Sequence, residues 1–372
     1  MRSNGVRHLL IITCCLAANI ASAAQVVTEP FLGVRHIFQT ESSPRPLKIH
    51  VVEIDLTAPG IGFMVTPPSS LPNPPFINGT FAETNLQTTR NFANAVGAQV
   101  AINGAFFASS GSWAQNLGLT ASNGNEYSPW EGGAYNNNDF DDALHISPTN
   151  IAQIVKMPHS IPTGWETNPS IPRDDLYNAI TGSHRIVQNG AAVTITGGSG
   201  SPLSAQPRTA VGLTAGNSKL ILMTIDGRQT GVSEGLTLSE MANLMIGAYG
   251  VQNAINLDGG GSTTMVMDFY DDSFASQVVN VPSDGNERAV GTNLAVFALP
   301  NGDFNRNGDV EAGDYVAWRK TIGGSIAYDA WRKQFSAEGD TGGGTSVPEP
   351  KYTSVLLIAA SFHSCRTRRR CR

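Results

Sequence analysis

Residues 219–257 read KLILMTIDGRQTGVSEGLTLSEMANLMIGAYGVQNAINL, and the spacing of apolar residues changes twice along them. Lys219–Ile225 is an almost continuous apolar run and Ala254–Leu257 is another, as is typical of buried strands. Between them, Ser239–Tyr249 carries apolar residues at helical spacing. The order of strand, helix and strand predicts one β-α-β-like unit.

The helix of this unit has a start signal of its own. Met241, Leu244 and Met245 fall on one face of the helix. Thr237 is followed three residues later by Glu240, a spacing that forms a capping box at a helix N-terminus. The helix is therefore predicted with one apolar face and a defined beginning.

Outside this unit, short apolar runs alternate with turn-forming residues. The 39 glycines and 21 prolines favour a turn-rich fold that contains strands over a helical bundle. Further elements are predicted as strands at Ile49–Leu56, Gly62–Val65, Gln99–Ile102, Met265–Met267 and Asn293–Leu299, and as a helix at Asn85–Val96. We therefore predict an α+β fold with a mixed β-sheet and flanking helices, plus a small helical module near the C-terminus.

The composition excludes several classes of protein. Hydrophobic residues make up 41% of the 372 residues, enough to bury a core, and the net charge of −6 argues against nucleic acid as a partner. The cysteines are Cys14, Cys15, Cys365 and Cys371, all near the ends of the chain. The body between them therefore has no disulfide framework, no thiol nucleophile and no cysteine-ligated zinc. The patterns of zinc proteases and of α/β-hydrolases do not occur.

Both ends of the chain have the features of export signals. Residues 1–24 combine Arg2 and Arg7 with an apolar run and small residues, which predicts a secretory signal peptide, the alternative being a buried helix. Residues 347–372 contain Pro-Glu-Pro, an apolar run and a basic end. They resemble a PEP-CTERM sorting signal, the alternative being a frayed basic tail. The chain is thus predicted to be an exported bacterial protein, either secreted or held at the cell surface.

A short acidic loop has the spacing of a calcium site. Oxygen-bearing side chains and a glycine stand where an EF-hand-type loop requires them. The candidate calcium ligands are Asp303, Asn305, Asn307, Asp309 and Asp314. The aspartate that ends the loop and the helix directly after it resemble type I dockerins, with a second helix-like copy at Tyr328–Lys333. A polar turn without metal is the alternative.

These features divide the chain into segments. They are a main domain at 25–300, a dockerin-like calcium module at 301–336, a glycine-rich linker at 337–346 and the sorting tail. Calcium in the module would be structural. The resemblance to dockerins implies a cohesin-like domain or an intramolecular contact as the partner of the module.

The main domain concentrates polar residues and glycines directly after its predicted strands. The blocks are Asn103-Gly104-Ala105-Phe106-Phe107, Pro207-Arg208-Thr209-Ala210, Asp226-Gly227-Arg228, Asp258-Gly259-Gly260-Gly261-Ser262 and Glu287-Arg288. Consecutive glycines allow backbone N–H groups to approach an anion such as phosphate. Arg208 and Arg228 could each make a bidentate contact with phosphate oxygens. Neither a Walker loop nor a Rossmann fingerprint is present.

Together, these blocks resemble the phosphodiester glycosidase family. The resemblance runs from Val51 to Leu299, and Asp-Gly-Gly-Gly-Ser is its most specific part. The chain departs from the family at Ala105, where a second glycine is expected. The resemblance implies hydrolysis of a sugar-1-phosphodiester, for example an N-acetylglucosamine-1-phosphodiester, to free sugar and a phosphomonoester.

Cleavage at an anomeric carbon usually needs a pair of carboxylates. Asp226 and Asp258 follow two strands joined by one helix, so we expect them to be neighbours. Asp258 is predicted as the base or nucleophile, with Asp226 as its partner, although Asp-Gly after a strand is also a common turn. The predicted substrate-binding and phosphate-binding residues are Asn103, Gly104, Arg208, Thr209, Arg228, Gly259, Gly260, Gly261, Ser262 and Arg288.

Two other functions remain open. The same pocket could belong to a non-catalytic cell-surface protein that binds anionic glycans, or to a hydrolase of phosphate-linked cell-wall polymers. The presence of both Asp226 and Asp258 favours an enzyme, because binding an anion needs arginines more than carboxylates.

Overall fold

The computed structural model describes residues 24–43, 45–130, 140–156, 176–198, 200–268, 276–299, 302, 304, 305, 310–321, 328, 331, 332 and 335. The predicted linker and sorting tail, and all but the last residue of the predicted signal peptide, lie outside these residues. So do Asp303, Asn307 and Asp309 of the predicted calcium loop. No helix among the described residues is long and apolar enough to cross a membrane.

The described residues form many short strands and three α-helices of eight or more residues. The strands are β1 (Ala24–Phe31), β2 (Val34–Glu41), β3 (Leu47–Asp55), β4 (Gly62–Val65), β5 (Phe76–Ile77), β6 (Thr80–Phe81), β7 (Thr84–Asn85), β8 (Val100–Asn103), β9 (Phe107–Ser110), β10 (Trp113–Asn116), β11 (Thr120–Ser122), β12 (Asn125–Ser128), β13 (Asp142–Ile146), β14 (Ala152–Lys156), β15 (Asn178–Gly182), β16 (His184–Gln188), β17 (Ala191–Ala192), β18 (Arg208–Thr214), β19 (Lys219–Ile225), β20 (Val251–Asn256), β21 (Met265–Met267), β22 (Gln277–Val278) and β23 (Asn293–Phe297). The helices are α1 (Thr89–Val96), α2 (Leu238–Tyr249) and α3 (Ala312–Thr321).

The largest sheet has eight strands in the order β1-β2-β3-β19-β18-β20-β16-β17. One of its faces packs against α2, where Met241 and Met245 meet Ile49, Ile221 and Met223. These side chains are almost completely buried. The burial of this apolar surface is what holds α2 against the sheet.

The opposite face of this sheet packs against two five-stranded sheets, β22-β21-β8-β23-β4 and β12-β11-β15-β13-β14. Leu222 of the large sheet shares one core with Ile102 of the first small sheet and Ile180 of the second. On the outer side of the first small sheet, α1 packs through Phe92 and Ala93. The main body is therefore layered, with a helix on each outer side.

The predicted α+β fold with a mixed sheet is wrong. Strands hold 44% of the described residues and helices 15%, so the protein is mainly β, and every strand pair that the structure describes is antiparallel. The β-α-β-like unit forms, but β18 lies between β19 and β20 and runs antiparallel to both. Because β18 precedes the unit in the chain, the pattern of the unit alone does not reveal it.

The two predicted helices of the main body form with small shifts at their beginnings. At the N-terminus of α2, the Thr237 side chain accepts from the backbone N–H of Glu240, and the Glu240 side chain accepts from the backbone N–H of Thr237. This confirms the predicted capping box. The other helix, α1, begins at Thr89 rather than at Asn85, because Thr88 caps it and Asn85 belongs to β7.

A small aromatic cluster lies near the C-terminus. It contains Phe304, Trp318, Tyr328 and Trp331 and includes residues of α3. The indole Nε1–H of Trp331 donates to the backbone oxygen of Glu311 at 2.8 Å. The cluster therefore ties the helical part of the predicted module to the residues just before α3.

Candidate active site

Most of the predicted site residues lie at one edge of the large sheet. Because β18 runs antiparallel to both of its neighbours, Arg208 at its start pairs with the last residue of β19, and Ala210 pairs with the last residue of β20. The loops that follow β19 and β20 therefore leave the sheet at the same edge. Those loops carry Asp226 and Asp258.

Asn103 ties the end of β8 to this edge. Its side chain is fully buried, and its Nδ2 donates to the backbone oxygen of Asp258 at 2.7 Å. Its Oδ1 accepts from Thr209 Oγ1 at 2.7 Å and from the backbone N–H of Thr264 at 3.0 Å. Asn103 and Thr209 thus fix the backbone around Asp258 from within the protein.

Asp258 is half-buried and directly precedes the glycine-rich turn, Gly259–Gly261. Its Oδ1 accepts from the N–H of Gly259 at 2.8 Å, and its own N–H donates to the backbone oxygen of Gly104 at 3.0 Å. Burial raises the pKa of Asp258 to about 6, while hydrogen bonds from Ser262 and Gly259 and the charge of Arg288 act to lower it. The carboxylate is therefore mostly ionised at neutral pH and has a fixed orientation.

Gly259 and Gly260 lie against Pro207. A Cβ on Gly259 would stand 2.8 Å from the backbone oxygen of Pro207, and Gly260 donates its N–H to that oxygen at 3.0 Å with φ +61°. The N–H of Gly259 is bonded to Asp258. Two of the three N–H groups predicted to bind an anion are thus already used, so contacts with an anion have to come mainly from side chains.

Arg228 and Arg288 place guanidinium groups over adjacent glycines. A Cβ on Gly260 would be 3.0 Å from Arg228 Nη2, and a Cβ on Gly261 would overlap Arg288 Nη2. Arg228 is held by Gln206, whose Oε1 accepts from its Nε at 2.8 Å. Both arginines are exposed. A floor without side chains and two exposed cations fit an anionic group such as phosphate.

Arg288 also forms an ion pair at the rim of the site. Its Nη2 is 2.6 Å from Asp284 Oδ2, and its Nη1 is 3.5 Å from Ser262 Oγ. The side chains of Arg288 and Asp284 are 44% and 40% exposed. Ser262 is buried and connects this ion pair to Asp258.

Asp226 lies behind the glycine-rich turn and is 1% exposed. Its Oδ1 accepts from Asn280 Nδ2 at 3.2 Å and from the N–H of Val281 at 3.0 Å. Asn280 in turn donates to the backbone oxygen of Thr263 at 3.1 Å. Burial raises the pKa of Asp226 to about 6, partly offset by these hydrogen bonds. Its carboxylate is enclosed by these donors and holds the loop that supports the turn.

Arg208 is buried, with 2% of its surface exposed. Its guanidinium donates to four backbone carbonyls, those of Leu236, Gly200, Ser201 and Ser204. Burial lowers its pKa to about 10. A bidentate contact with phosphate would require some of these bonds to break, so in this arrangement Arg208 fastens the segment 200–204 to the start of β18.

A family model described as phosphodiester glycosidase matches residues 96–297, which is more than half of the chain. The chain belongs to the phosphodiester glycosidase family. The matched segment includes every predicted catalytic and phosphate-binding residue, from Asn103 to Arg288. It does not include the predicted dockerin-like module or the sorting tail, which stay predictions.

Among solved structures, the chain is similar to the catalytic domain of zebrafish N-acetylglucosamine-1-phosphodiester alpha-N-acetylglucosaminidase, auto-inhibited by its pro-peptide. The TM-score is 0.52 at 22% sequence identity, over 76% of this chain and 84% of that chain. A hypothetical protein from Synechocystis gives a TM-score of 0.49 at 16% identity, over 76% and 64% of the two chains. The zebrafish likeness indicates a shared fold. No curated protein matches this chain by sequence.

The candidate site also contains residues that the sequence patterns did not predict. Gln206 holds Arg228, Asn280 links Asp226 to the glycine-rich turn, and Asp284 forms the ion pair described above. Asp284 lies only four residues before its partner, a spacing visible in the sequence. The other two contact residues far away in the chain, and no local pattern marks them.

Among the described residues, no three or more His, Cys, Asp or Glu side chains form a group that could hold a metal ion. Two of the predicted calcium ligands, Asn305 and Asp314, are described. Asp314 is fully buried; its Oδ1 accepts from the N–H of Asn305 at 2.8 Å and its Oδ2 from the N–H of Glu311 at 2.6 Å. The Asp314 carboxylate therefore faces the backbone of Asn305 and Glu311, and binding of calcium by the loop stays a prediction.

Proposed function

We propose that this phosphodiester glycosidase hydrolyses sugar-1-phosphodiesters, for example an N-acetylglucosamine-1-phosphodiester, to the free sugar and a phosphomonoester. One observation carries the proposal: Asp258 heads a turn without side chains, over which two exposed guanidinium groups lie. During cleavage the anomeric carbon gains positive charge and the departing phosphate gains negative charge. The carboxylate and the arginines match these two charges.

Arg228 and Arg288 would bind the phosphate. Their N–H groups make strong, charge-assisted hydrogen bonds with phosphate oxygens. Negative charge grows on the phosphate as the bond to the sugar breaks, so the two cations stabilise the transition state more than the bound substrate. A leaving group stabilised in this way needs little help from a proton donor, which agrees with the enclosed position of Asp226.

Asp258 would act on the sugar side, either as a nucleophile at the anomeric carbon or as the base that activates water. It is ionised at neutral pH, and the N–H of Gly259 and the side chain of Ser262 hold its carboxylate. In the overall reaction the oxygen of water bonds to the anomeric carbon, and the carbon–oxygen bond to the phosphate breaks. The electrons of that bond stay on the phosphate, and one proton of water is released to it or to solvent.

Asp226 would be a positioning residue. Its hydrogen bonds to Asn280 and Val281 hold the segment that in turn bonds to Thr263, directly after the glycine-rich turn. This arrangement supports a role in fixing the turn. The predicted role of Asp226 as the second reacting carboxylate is thereby replaced in the proposal.

We also propose export to the bacterial surface or medium, on the basis of residues 1–24 and 347–372. The predicted calcium loop would bind one structural ion through Asp303, Asn305, Asn307, Asp309 and Asp314. A cohesin-like domain or another part of this chain would be the partner of that module. The substrate would be a glycan or a smaller sugar phosphodiester.

The test is product release from the purified protein given UDP-N-acetylglucosamine and simpler sugar-1-phosphodiesters. We expect free sugar and the phosphorylated product in equal amounts. Asp258→Asn should lower turnover by roughly a hundredfold or more, because it removes a group that acts on the reacting atoms. The matched control is Asp55→Asn, which removes one carboxylate at the far end of β3, away from the site.

The outcomes separate the rival functions. Near-normal turnover by Asp258→Asn would exclude the role of that carboxylate. If the wild-type protein binds these compounds but releases no sugar, the protein is a binding protein for anionic glycans and not an enzyme. Turnover confined to polymeric substrates would indicate a hydrolase of phosphate-linked polymers.

A further inference from the structure

We propose that Asp284 is an internal competitor whose carboxylate occupies the anion position of the site, so that the phosphate of a substrate has to displace it from Arg288. This inference rests on the proposed function, since it concerns the binding of the phosphate group to the same site. It adds a residue outside the predicted site and a cost for the binding of any anion to Arg288.

The ion pair of Asp284 and Arg288 lies over the glycine-rich turn of the site. A Cβ built on Gly261 would overlap both Asp284 Oδ2 and Arg288 Nη2. The carboxylate of Asp284 is therefore directly above the floor, in contact with one of the two exposed guanidinium groups. This is the place that a phosphate oxygen would take when Arg288 binds it.

The same position is close to the reacting carboxylate. Arg288 approaches Ser262 Oγ at 3.5 Å, and Ser262 is hydrogen-bonded to Asp258. The charge of Arg288 also acts on Asp258. An anion on Arg288 therefore lies beside the group proposed to act on the sugar, as the phosphate of a sugar-1-phosphodiester requires.

Of the two partners in the ion pair, Asp284 is the one that can move. It belongs to an exposed turn in which the N–H of Gly285 donates to the oxygen of Pro282 at 3.1 Å. Glu287, next to Arg288, is anchored at the start of α1. Its Oε1 accepts from the backbone N–H of Arg90 at 3.0 Å, and its Oε2 is 3.1 Å from Arg90 Nε. Asp284 can therefore swing into solvent while the backbone at Arg288 stays in place.

The consequence is a competition for Arg288. The phosphate of a sugar-1-phosphodiester carries one negative charge on two free oxygens, as a carboxylate does, and both groups can bond to the fork of an arginine. Asp284 and the substrate phosphate therefore exclude each other from Arg288. Every anion that binds Arg288 has to bear the cost of breaking the ion pair.

The experiment is a calorimetric titration with inorganic phosphate of the wild-type protein, Asp284→Asn and Asp55→Asn. Asp284→Asn keeps the shape of the side chain but removes the competing charge, and Asp55→Asn removes an equal charge at the distant end of the sheet. We expect phosphate to bind Asp284→Asn about three- to fivefold more tightly than the wild-type protein, in line with an exposed ion pair of ordinary strength. The gain should shrink at high salt.

A second titration, with acetate, tests whether Asp284 competes with a carboxylate in the same way as with phosphate. Acetate should gain affinity in Asp284→Asn by about the same factor as phosphate, because both anions have to displace the same carboxylate. Equal or weaker binding of phosphate by Asp284→Asn would overturn the proposal and make Asp284 a support for Arg288 instead. An equal gain in Asp55→Asn would also overturn it, since the effect would then come from net charge.

These outcomes are distinguishable from a failure of the proposed function. The titrations need no turnover. If phosphate binds as expected but no sugar is released, the role of Asp284 is supported and the proposed enzyme activity is excluded. If the protein releases sugar but binds phosphate equally well with and without Asp284→Asn, the proposed activity is supported and the role of Asp284 is excluded.

Discussion

Asp258 is the residue whose protonation should set the acid side of the rate profile. A base or nucleophile acts only when ionised, and the pKa of Asp258 is raised to about 6 because it is buried. We expect kcat/KM for a sugar-1-phosphodiester to fall about tenfold for each pH unit below that value and to be level just above it. The measurement is a rate profile at constant ionic strength.

Asp226 has a pKa raised to a similar value, so two variants are needed to assign the profile. The positive charge of Arg288 lowers the pKa of Asp258, whereas the charge of Lys48 lowers that of Asp226. Arg288→Gln should therefore move the acid limb to higher pH, and Lys48→Gln should leave it in place. A limb that moves with Lys48→Gln alone would assign the profile to Asp226.

At the scale of single residues, the sequence predicts backbone roles better than side-chain partners. The glycines after Asp258 are recognisable because a run of three glycines marks a backbone that has to stay clear of side chains. The exposed Arg228 and the buried Arg208 look alike in sequence, since each follows a short polar block. What separates them is the segment 200–204, whose carbonyls surround Arg208, and nothing local predicts that contact.

Among the strands, β2 and β3 carry a buried histidine pair that should make the protein sensitive to acid. His36 Nε2 lies 3.2 Å from His50 Nδ1, and the rings are stacked with their centroids 5.4 Å apart. Burial lowers the pKa of His36 to about 4, and burial together with the charges of His36 and Lys48 lowers that of His50 to about 3. The folded protein therefore resists protonation that the unfolded chain accepts.

The sign of the effect follows from these values. Unfolded histidines take up protons below pH 6.5, whereas the folded pair does so only near pH 4 and 3. The free energy of unfolding should therefore fall as pH drops below 6.5, by up to about 1.4 kcal/mol per pH unit for each histidine. Asp226 and Asp258 act in the opposite direction, since their raised pKa values favour the folded state as they take up protons.

Because these carboxylates oppose the histidines, the measurement is a difference between two proteins. The wild-type protein and His36→Phe/His50→Phe are unfolded with urea between pH 7.5 and about pH 4.5. Both proteins contain the two aspartates, so the difference between their free energies of unfolding cancels the contribution of those residues. We expect the wild-type protein to lose more stability on acidification than the double variant. Parallel curves would show that the pair does not control acid stability.

At the scale of elements, strands with strong apolar runs could be predicted and the others could not. Gly62–Val65, Lys219–Ile225 and Met265–Met267 are confirmed with their predicted bounds. The first strand, β1, was missed because most of its residues are exposed, which leaves no apolar pattern. In β13 the residues are buried, but an aspartate and a histidine interrupt the run.

At the scale of the whole molecule, the order of strands in space places the site. The insertion of β18 between β19 and β20 removes a parallel ladder and brings the start of one strand beside the ends of two others. Asn103 then joins the first small sheet to that edge. The pairing of distant strands depends on the packing of the complete chain, so the motifs were predictable while the mixed sheet predicted around them was wrong.

The predicted calcium loop and the aromatic cluster near the C-terminus are connected by hydrogen bonds. The carboxylate of Asp314 accepts from the N–H groups of Asn305 and Glu311, and the oxygen of Glu311 accepts from the indole of Trp331. A change in the loop should therefore reach the cluster. Since Trp331 is completely buried, its fluorescence reports on this contact.

This connection gives a prediction about metal removal from the intact protein. If the loop binds calcium as its sequence predicts, chelation with EDTA should leave the acidic side chains without a cation to offset their repulsion, and the cluster should loosen. We expect the tryptophan emission to shift to longer wavelength, and to return with added calcium but not with an equal concentration of magnesium. Replacement of both tryptophans of the cluster, in Trp318→Phe/Trp331→Phe, should remove most of the shift, which separates the cluster from the other tryptophans of the chain. The proposed hydrolysis of sugar phosphodiesters should continue in EDTA, because the main body forms its site with its own sheets. An unchanged spectrum in EDTA, or a shift equally large in Trp318→Phe/Trp331→Phe, would contradict the link between the loop and the cluster.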